Sequence, residues 1–215
     1  MKNAKILIKR GRVIDPLTGI DQIADVLIID NKIQSVDTNI DLSAGPDVME
    51  ITAEGLVVCP GFVDLHAHLR EPGFEYKETI ATGTKAAVKG GFTSVCAMPN
   101  TDPAIDTPSM IEFVKMKGKS DASCRVYPIG AVTKGRKGKS IVDFLEMYSA
   151  GAVAFSDDGD PVYDSEIMRL ALEYAGPLNV PIMNHCQDLT ISPNGVMAEG
   201  EVSELLLSLI HICRC

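Results

Sequence analysis

Gly61-Phe62-Val63-Asp64-Leu65-His66-Ala67-His68-Leu69-Arg70-Glu71-Pro72-Gly73 is the stretch on which the reading of this chain turns. Just before it, Gly55-Leu56-Val57-Val58-Cys59-Pro60 is an apolar run closed by a Pro-Gly break. Gly61 to Leu69 therefore reads as a strand that begins after a turn and ends at a charged loop stopped by proline. Side chains alternate faces along a strand, so His66 and His68 point the same way. Two imidazoles side by side at a strand end can share one metal ion through their ring nitrogens. A bare His-x-His also fits two histidines of a half-buried strand, and the flanking Asp64 and Arg70-Glu71-Pro72-Gly73 are what favour chemistry.

After this stretch the chain alternates strand and helix. Glu78 to Lys89 carries apolar and small residues at helical spacing and stops at Gly90-Gly91, directly before a strand from Phe92 to Ala97. The pattern continues with a helix over 108–117, a strand over 124–132, a helix over 141–149 and a strand over 151–156. A helix over 164–174 with an Asp164 cap and a strand over 180–185 complete it. Successive βα units with short loops imply a parallel sheet. The chain before it, from Lys5 to Val36, reads as short strands separated at Gly11, Asp15-Pro16 and Asp30-Asn31, a run of hairpins that makes only part of a sheet.

Composition narrows the function classes. A net charge of -9 over 215 residues argues against a nucleic-acid surface, which needs clustered Lys and Arg. The basic run Lys134-Gly135-Arg136-Lys137-Gly138-Lys139 reads as a solvated loop. No apolar run has the length of a membrane span, and Met1-Lys2-Asn3-Ala4-Lys5 leads into a strand rather than a signal core, so the expected compartment is the cytoplasm. The 6 cysteines contain no Cys-x-x-Cys pair and read as reduced; Cys59, Cys96 and Cys124 sit in apolar runs as small hydrophobes.

The string Asp64 to Gly73 resembles the signature of the dihydroorotases, in the cyclic-amide hydrolase branch of the amidohydrolase superfamily. Lys77-Glu78-Thr79-Ile80, Lys89-Gly90-Gly91-Phe92-Thr93, Ala97-Met98-Pro99-Asn100-Thr101, Phe155-Ser156-Asp157-Asp158-Gly159 and Asn184-His185-Cys186 follow in the family's order, up to about Ser203. The resemblance makes the parallel sheet a partial (β/α)8 barrel with about five of its eight βα units. It also makes the N-terminal strands part of a small composite β-sandwich. The implied division is 1–58 for the sandwich strands, 59–206 for the barrel and 207–215 for a non-native tail. Barrel active sites lie at the C-terminal strand ends, where His66, His68, Asn100, Asp158 and His185 all fall.

By the same resemblance His66, His68, Asp158 and His185 are zinc ligands, with two zinc ions per site, while Arg70 and Asn100 bind the substrate carboxylate. A fixed guanidinium suits that task because it grips a carboxylate at two points; the competing reading of Arg70 is a salt bridge to Glu71 or a neighbouring acid. Asp158 would stand where related hydrolases carry a carboxylated lysine, and no lysine occurs between Gly151 and Gly159, which disfavours hydantoinase and allantoinase alternatives. The intact His66 and His68 disfavour a metal-free scaffold of aspartate carbamoyltransferase. Gln187 and Asp188 depart from the family's usual Cys-Glu-Asp or Cys-Glu-Glu.

The implied reaction is reversible zinc-dependent interconversion of dihydroorotate and carbamoyl aspartate in pyrimidine biosynthesis. A homodimer or a complex with aspartate carbamoyltransferase is the implied assembly. The family's sixth-strand histidine and eighth-strand general acid and base have no counterpart here. His211 lies in a tail, Leu207-Ser208-Leu209-Ile210-His211-Ile212, that resembles translated sequencing adapter. A truncated, inactive fragment is therefore expected.

Overall fold

The computed structural model describes residues 5–41, 48–187, 197–198, 200–205 and 212–213. The chain divides into two compact units, Met1–Gly61 and Phe62–Cys215. Residue 188, the 206–211 stretch with His211, and residues 214 and 215 lie outside the described residues. Two short pieces, β9 (Met197–Ala198) and β10 (Ile212–Cys213), pair in parallel around α5 (Glu201–Leu205).

In the N-terminal unit β1 (Lys5–Asp15) and β2 (Ile20–Ile29) pair antiparallel from Lys5 opposite Ile29 to Asp15 opposite Ile20. The break expected at Gly11 is a bulge between Ile8 and Gly11 within one continuous strand. Arg10 takes a left-handed conformation there, with φ of 58°, and an extra residue of that kind bends a strand without ending it. The buried Asp25 carboxylate holds the bulge by accepting from the Arg10 amide at 2.8 Å and the Ile40 amide at 3.1 Å. β3 (Lys32–Asp37) closes a hairpin on β2 through Asp30 and Asn31, both at positive φ as a tight hairpin turn requires. The hairpin run did not anticipate β4 (Val48–Thr52) and β5 (Val57–Val58), which pair with β1 in parallel.

The second unit is built on parallel pairing. β6 (Phe62–Ala67) pairs with β7 (Phe92–Ala97), and β7 with β8 (Arg125–Pro128). The expected strands at 151–156 and 180–185 are present only as parallel bridges, Gly130 to Phe155 and Phe155 to Ile182. The backbone ladder nevertheless runs on, with the Ser156 amide donating to Gly130 O and the Met183 amide to Phe155 O. Pro181 has no N–H to contribute, which shortens the last pairing.

Between the strands lie α1 (Ile80–Lys89), α2 (Pro108–Asp121), α3 (Phe144–Ala150) and α4 (Ser165–Ala175). Each starts where the sequence supplies a start: a Thr79/Thr82 capping box, proline at the first turn of α2, and Asp143 and Asp164 side chains accepting first-turn amides. Period-two alternation gives β7 two apolar faces. Val95 and Ala97 join Ile80, Ile111, Val114, Phe144, Met147 and Phe155 in the larger core, while Cys96 and Met98 pack with Ile129 and Ala154.

The loops that leave β6 and β7 are packed on each other. The Asp102 amide donates to Pro72 O at 3.1 Å, and a Cβ on Gly73 would lie 2.1 Å from Asp102 O. Gly73, at φ of 95°, is therefore required both by backbone conformation and by space.

Candidate metal centre and active site

Where β6 ends, His66 and His68 do share a face: their Nε2 atoms are 3.3 Å apart. The Asp64 side chain accepts from the His66 amide at 3.0 Å and so helps fix the strand end. The His68 Nδ1 lies 2.9 Å from Asn100 Oδ1. That contact orients the ring and leaves Nε2 directed at the shared space, the usual outer support of a metal-binding imidazole. Asn100, expected to bind substrate, is thus engaged through its carbonyl oxygen and retains its amide nitrogen for a ligand.

Asp158 meets the two imidazoles from the segment beyond α3. Its Oδ1 is 3.4 Å from His66 Nε2 and its Oδ2 is 3.4 Å from His68 Nε2. The donor atoms of His66, His68 and Asp158 all lie within 4.8 Å of one another. His185 adjoins on the far side, with Nδ1 3.2 Å from the same Asp158 Oδ1 and Nε2 3.2 Å from Gln187 Oε1. Gln187, at a departure from the family pattern, thereby supplies a neutral oxygen to His185.

The Asp158 side chain is 6% exposed, and its ionic contacts among the described residues are to histidines, with no Lys or Arg. Burying a carboxylate is costly unless it is paired or coordinates a cation. Imidazole nitrogens converging with a buried carboxylate are a donor set suited to zinc and similar divalent ions. The residues present therefore fit a metal.

The neighbouring Asp157 faces the other way. Its Oδ1 accepts from the Val132 amide at 2.8 Å and the Thr133 amide at 3.0 Å, and its Oδ2 from the Thr133 hydroxyl. Burial pushes the Asp157 carboxyl above the usual carboxylate range, against the pull of these donors and of the Arg136 charge. One aspartate of the pair is thus spent on structure and the other on the site.

A family model described as dihydro-orotase-like matches residues 55–211. The chain belongs to the dihydro-orotase-like family. Among curated relatives of this dihydro-orotase-like chain, a dihydroorotase of Aquifex aeolicus is 50% identical over 202 residues, which is 94% of the chain and 47% of the relative. One of Pelotomaculum thermopropionicum is also 50% identical, over 94% of the chain and 46% of the relative. The chain thus spans about half the length of the curated relatives it matches. Among solved structures, an L-hydantoinase (dihydropyrimidinase) from Arthrobacter aurescens superposes with a TM-score of 0.74 at 22% identity, covering 89% of this chain and 42% of that one. A dihydroorotase crystal structure matches at 0.59 and 16% identity, covering 84% and 50%. At such identities these likenesses show a shared mixed α/β fold. No helix among the described residues is long and apolar enough to cross a membrane.

In this dihydro-orotase-like chain the Arg70–Glu71 pairing is not formed. Glu71 accepts from the Ile80 amide at 2.9 Å, capping α1, and pairs with Lys117 at 3.1 Å. Arg70 sits at φ of 61° and no acid pairs with its guanidinium among the described residues. The sequence reading missed Arg136, placed in a solvated loop but only 17% exposed in its side chain and bonded to Asp160. No pattern in the basic run marks that residue apart from its neighbours. Cys59, read as a small hydrophobe within an apolar run, is a free cysteine at an exposed position.

Proposed function

We propose that this chain is the N-terminal half of a zinc-dependent dihydroorotase that interconverts dihydroorotate and carbamoyl aspartate. The observation that carries the reading is the Asp158 carboxylate seated between the His66–His68 pair and His185, 3.2 to 3.4 Å from each imidazole. A carboxylate with histidines on both sides can be shared by two ions, so His66, His68, Asp158 and His185 are the residues that would hold a pair of zinc ions. Bound there, zinc supplies Lewis-acid polarisation of the scissile carbonyl and an activated water at neutral pH.

The chain's own residues do the rest. His66 and His68 are held with their Nε2 atoms turned to one point, and the buried Asp158 brings its carboxylate against both. Arg70, without an acidic partner among the described residues, is available for the substrate carboxylate, and the Asn100 amide nitrogen offers a further donor. In this reading the parallel segments from β6 to Ile182 are about five units of a (β/α)8 barrel, with the site at their C-terminal ends. The N-terminal sheet is part of a composite β-sandwich. A (β/α)8 barrel closes only with its remaining strands, so the 215-residue chain alone is expected to show no turnover.

The test is turnover of dihydroorotate, hydantoin and allantoin by the full-length protein, with and without zinc. Dihydroorotate is expected to be favoured strongly and to need the metal. A preference for hydantoin would replace the substrate assignment, and absence of any turnover would favour a scaffold for aspartate carbamoyltransferase. Arg70→Met is expected to keep the zinc and to weaken substrate binding by about 1.5–3 kcal/mol, the worth of a charge-assisted hydrogen bond. Steady-state kinetics read this as a raised KM, and an unchanged KM removes Arg70 from the substrate site.

A further inference from the structure

Arg136 reaches from the loop after β8 to the turn that carries Asp158. Its Nη2 bonds Asp160 Oδ2 at 2.5 Å and its Nε lies 3.5 Å from the Asp157 carbonyl oxygen. The guanidinium therefore touches the turn on both sides of Asp158 without touching Asp158 itself. The turn is closed by the Asp160 amide donating to Asp157 O, and Gly159 at its apex has φ of 88°. A Cβ on Gly159 would come within 3.3 Å of Arg136 Nη2 and 3.5 Å of Asn100 Nδ2. A side chain at residue 159 would therefore crowd both Arg136 and Asn100.

The backbone supplies a second and independent observation. Arg136 is itself in the left-handed region, with φ of 57°, and follows Gly135 at 62°. A glycine would adopt that conformation more cheaply than an arginine. The loop is fastened there: the Arg136 amide donates to Thr133 O at 2.9 Å, the Gly138 amide to Thr133 Oγ1 at 2.9 Å and the Gly135 amide to Asp106 Oδ2 at 2.7 Å. The strain is local and the side chain is what it delivers to the turn.

We propose that Arg136 is a positioning residue for the metal centre: it latches the Asp157-to-Asp160 turn and so fixes the direction of the Asp158 carboxylate toward His66, His68 and His185. The inference rests on the metal-centre reading above. Outer partners that orient ligands change metal affinity by roughly 10–100-fold when removed. Arg136→Ala should fall in that range and Arg136→Lys, which keeps the charge but not the two-point reach, between it and the parent. Asp160 is exposed, its side chain at 61%, so Asp160→Asn should preserve the fold while weakening zinc in the same direction. The double variant should be no weaker than Arg136→Ala, because both act through one latch.

Zinc affinity of the full-length protein, measured by competition with a chelating dye, reads these effects beside thermal melts of the zinc-free forms. Arg169→Ala, which removes an exposed ion pair within α4, is the reference for loss of a surface arginine. If Asp158→Ala loses zinc while Arg136→Ala and Asp160→Asn bind it as the parent does, the latch is overturned and the metal centre stands. A lower melting temperature with unchanged zinc affinity makes Arg136 a purely structural residue and overturns it as well. Should Arg136→Ala fail to fold, Asp160→Asn decides alone. A parent that holds no zinc, or holds it without Asp158, overturns both readings.

Discussion

Asp158→Ala is expected to strip the protein of zinc and of activity while leaving the fold in place. The side chain touches three imidazoles, so its removal takes away the group common to both sides of the site. The loss should exceed the roughly 10–100-fold that changes outside the ligand set produce. Stability of the metal-free protein should hold or rise, because the variant no longer buries a charge. Zinc content by atomic absorption and a thermal melt after chelation separate the two effects. Undiminished zinc in the variant would falsify the assignment.

Asp157→Ala, one residue earlier, should do the opposite. It orphans the Val132 amide, the Thr133 amide and the Thr133 hydroxyl, all of which donate to this carboxylate. Each buried donor left unpaired costs about 1–3 kcal/mol. Burial already disfavours the ionised form of Asp157, which offsets part of that sum, and a net loss of about 2–4 kcal/mol is expected. For a domain of this size that lowers the melting temperature by roughly 5–15 °C. Asp157→Asn keeps an oxygen for the two amides and turns its nitrogen to a hydroxyl that can accept, so it should cost less than half as much. Equal melting of Asp157→Ala and the parent sinks this division of labour between the two aspartates.

That division marks the limit of what could be read from the residues. Asp-Asp-Gly names a turn and offers two carboxylates, and nothing local says which faces the histidines. Resemblance to the family chose Asp158, and the contacts of Asp157 with the loop after β8 supply the physical reason. The placement of His66 and His68 on one face was legible because period-two alternation is a property of the strand itself. The end of α1 at Gly90 and the bounds of β7 were legible because helix stops and apolar runs are local signals. The segments 151–156 and 180–185 read as strands from their apolar content, yet their pairing is set by the neighbour, which offers single bridges. Arg136 was invisible because its partners, Asp157 and Asp160, lie more than twenty residues away. The parallel pairing of β4 and β5 with β1 was missed for the same reason, a long-range match with no local sign.

The edge of the second unit's sheet bears on how the protein is made. Among the described residues β6 has a strand partner only on its β7 side, and Phe62, Val63 and Leu65 along it are exposed. Ribosomes add about 5–20 residues per second, so in the full-length protein proposed above a C-terminal half as long as that of the relatives takes roughly 10–50 s to follow. For that interval the nascent strand presents open amides and apolar side chains to solvent. Translation speed and holdase supply, more than the equilibrium stability of the finished protein, should then set how much of it is recovered. In a gene of the relatives' length, codon choice in the second half becomes a lever on yield.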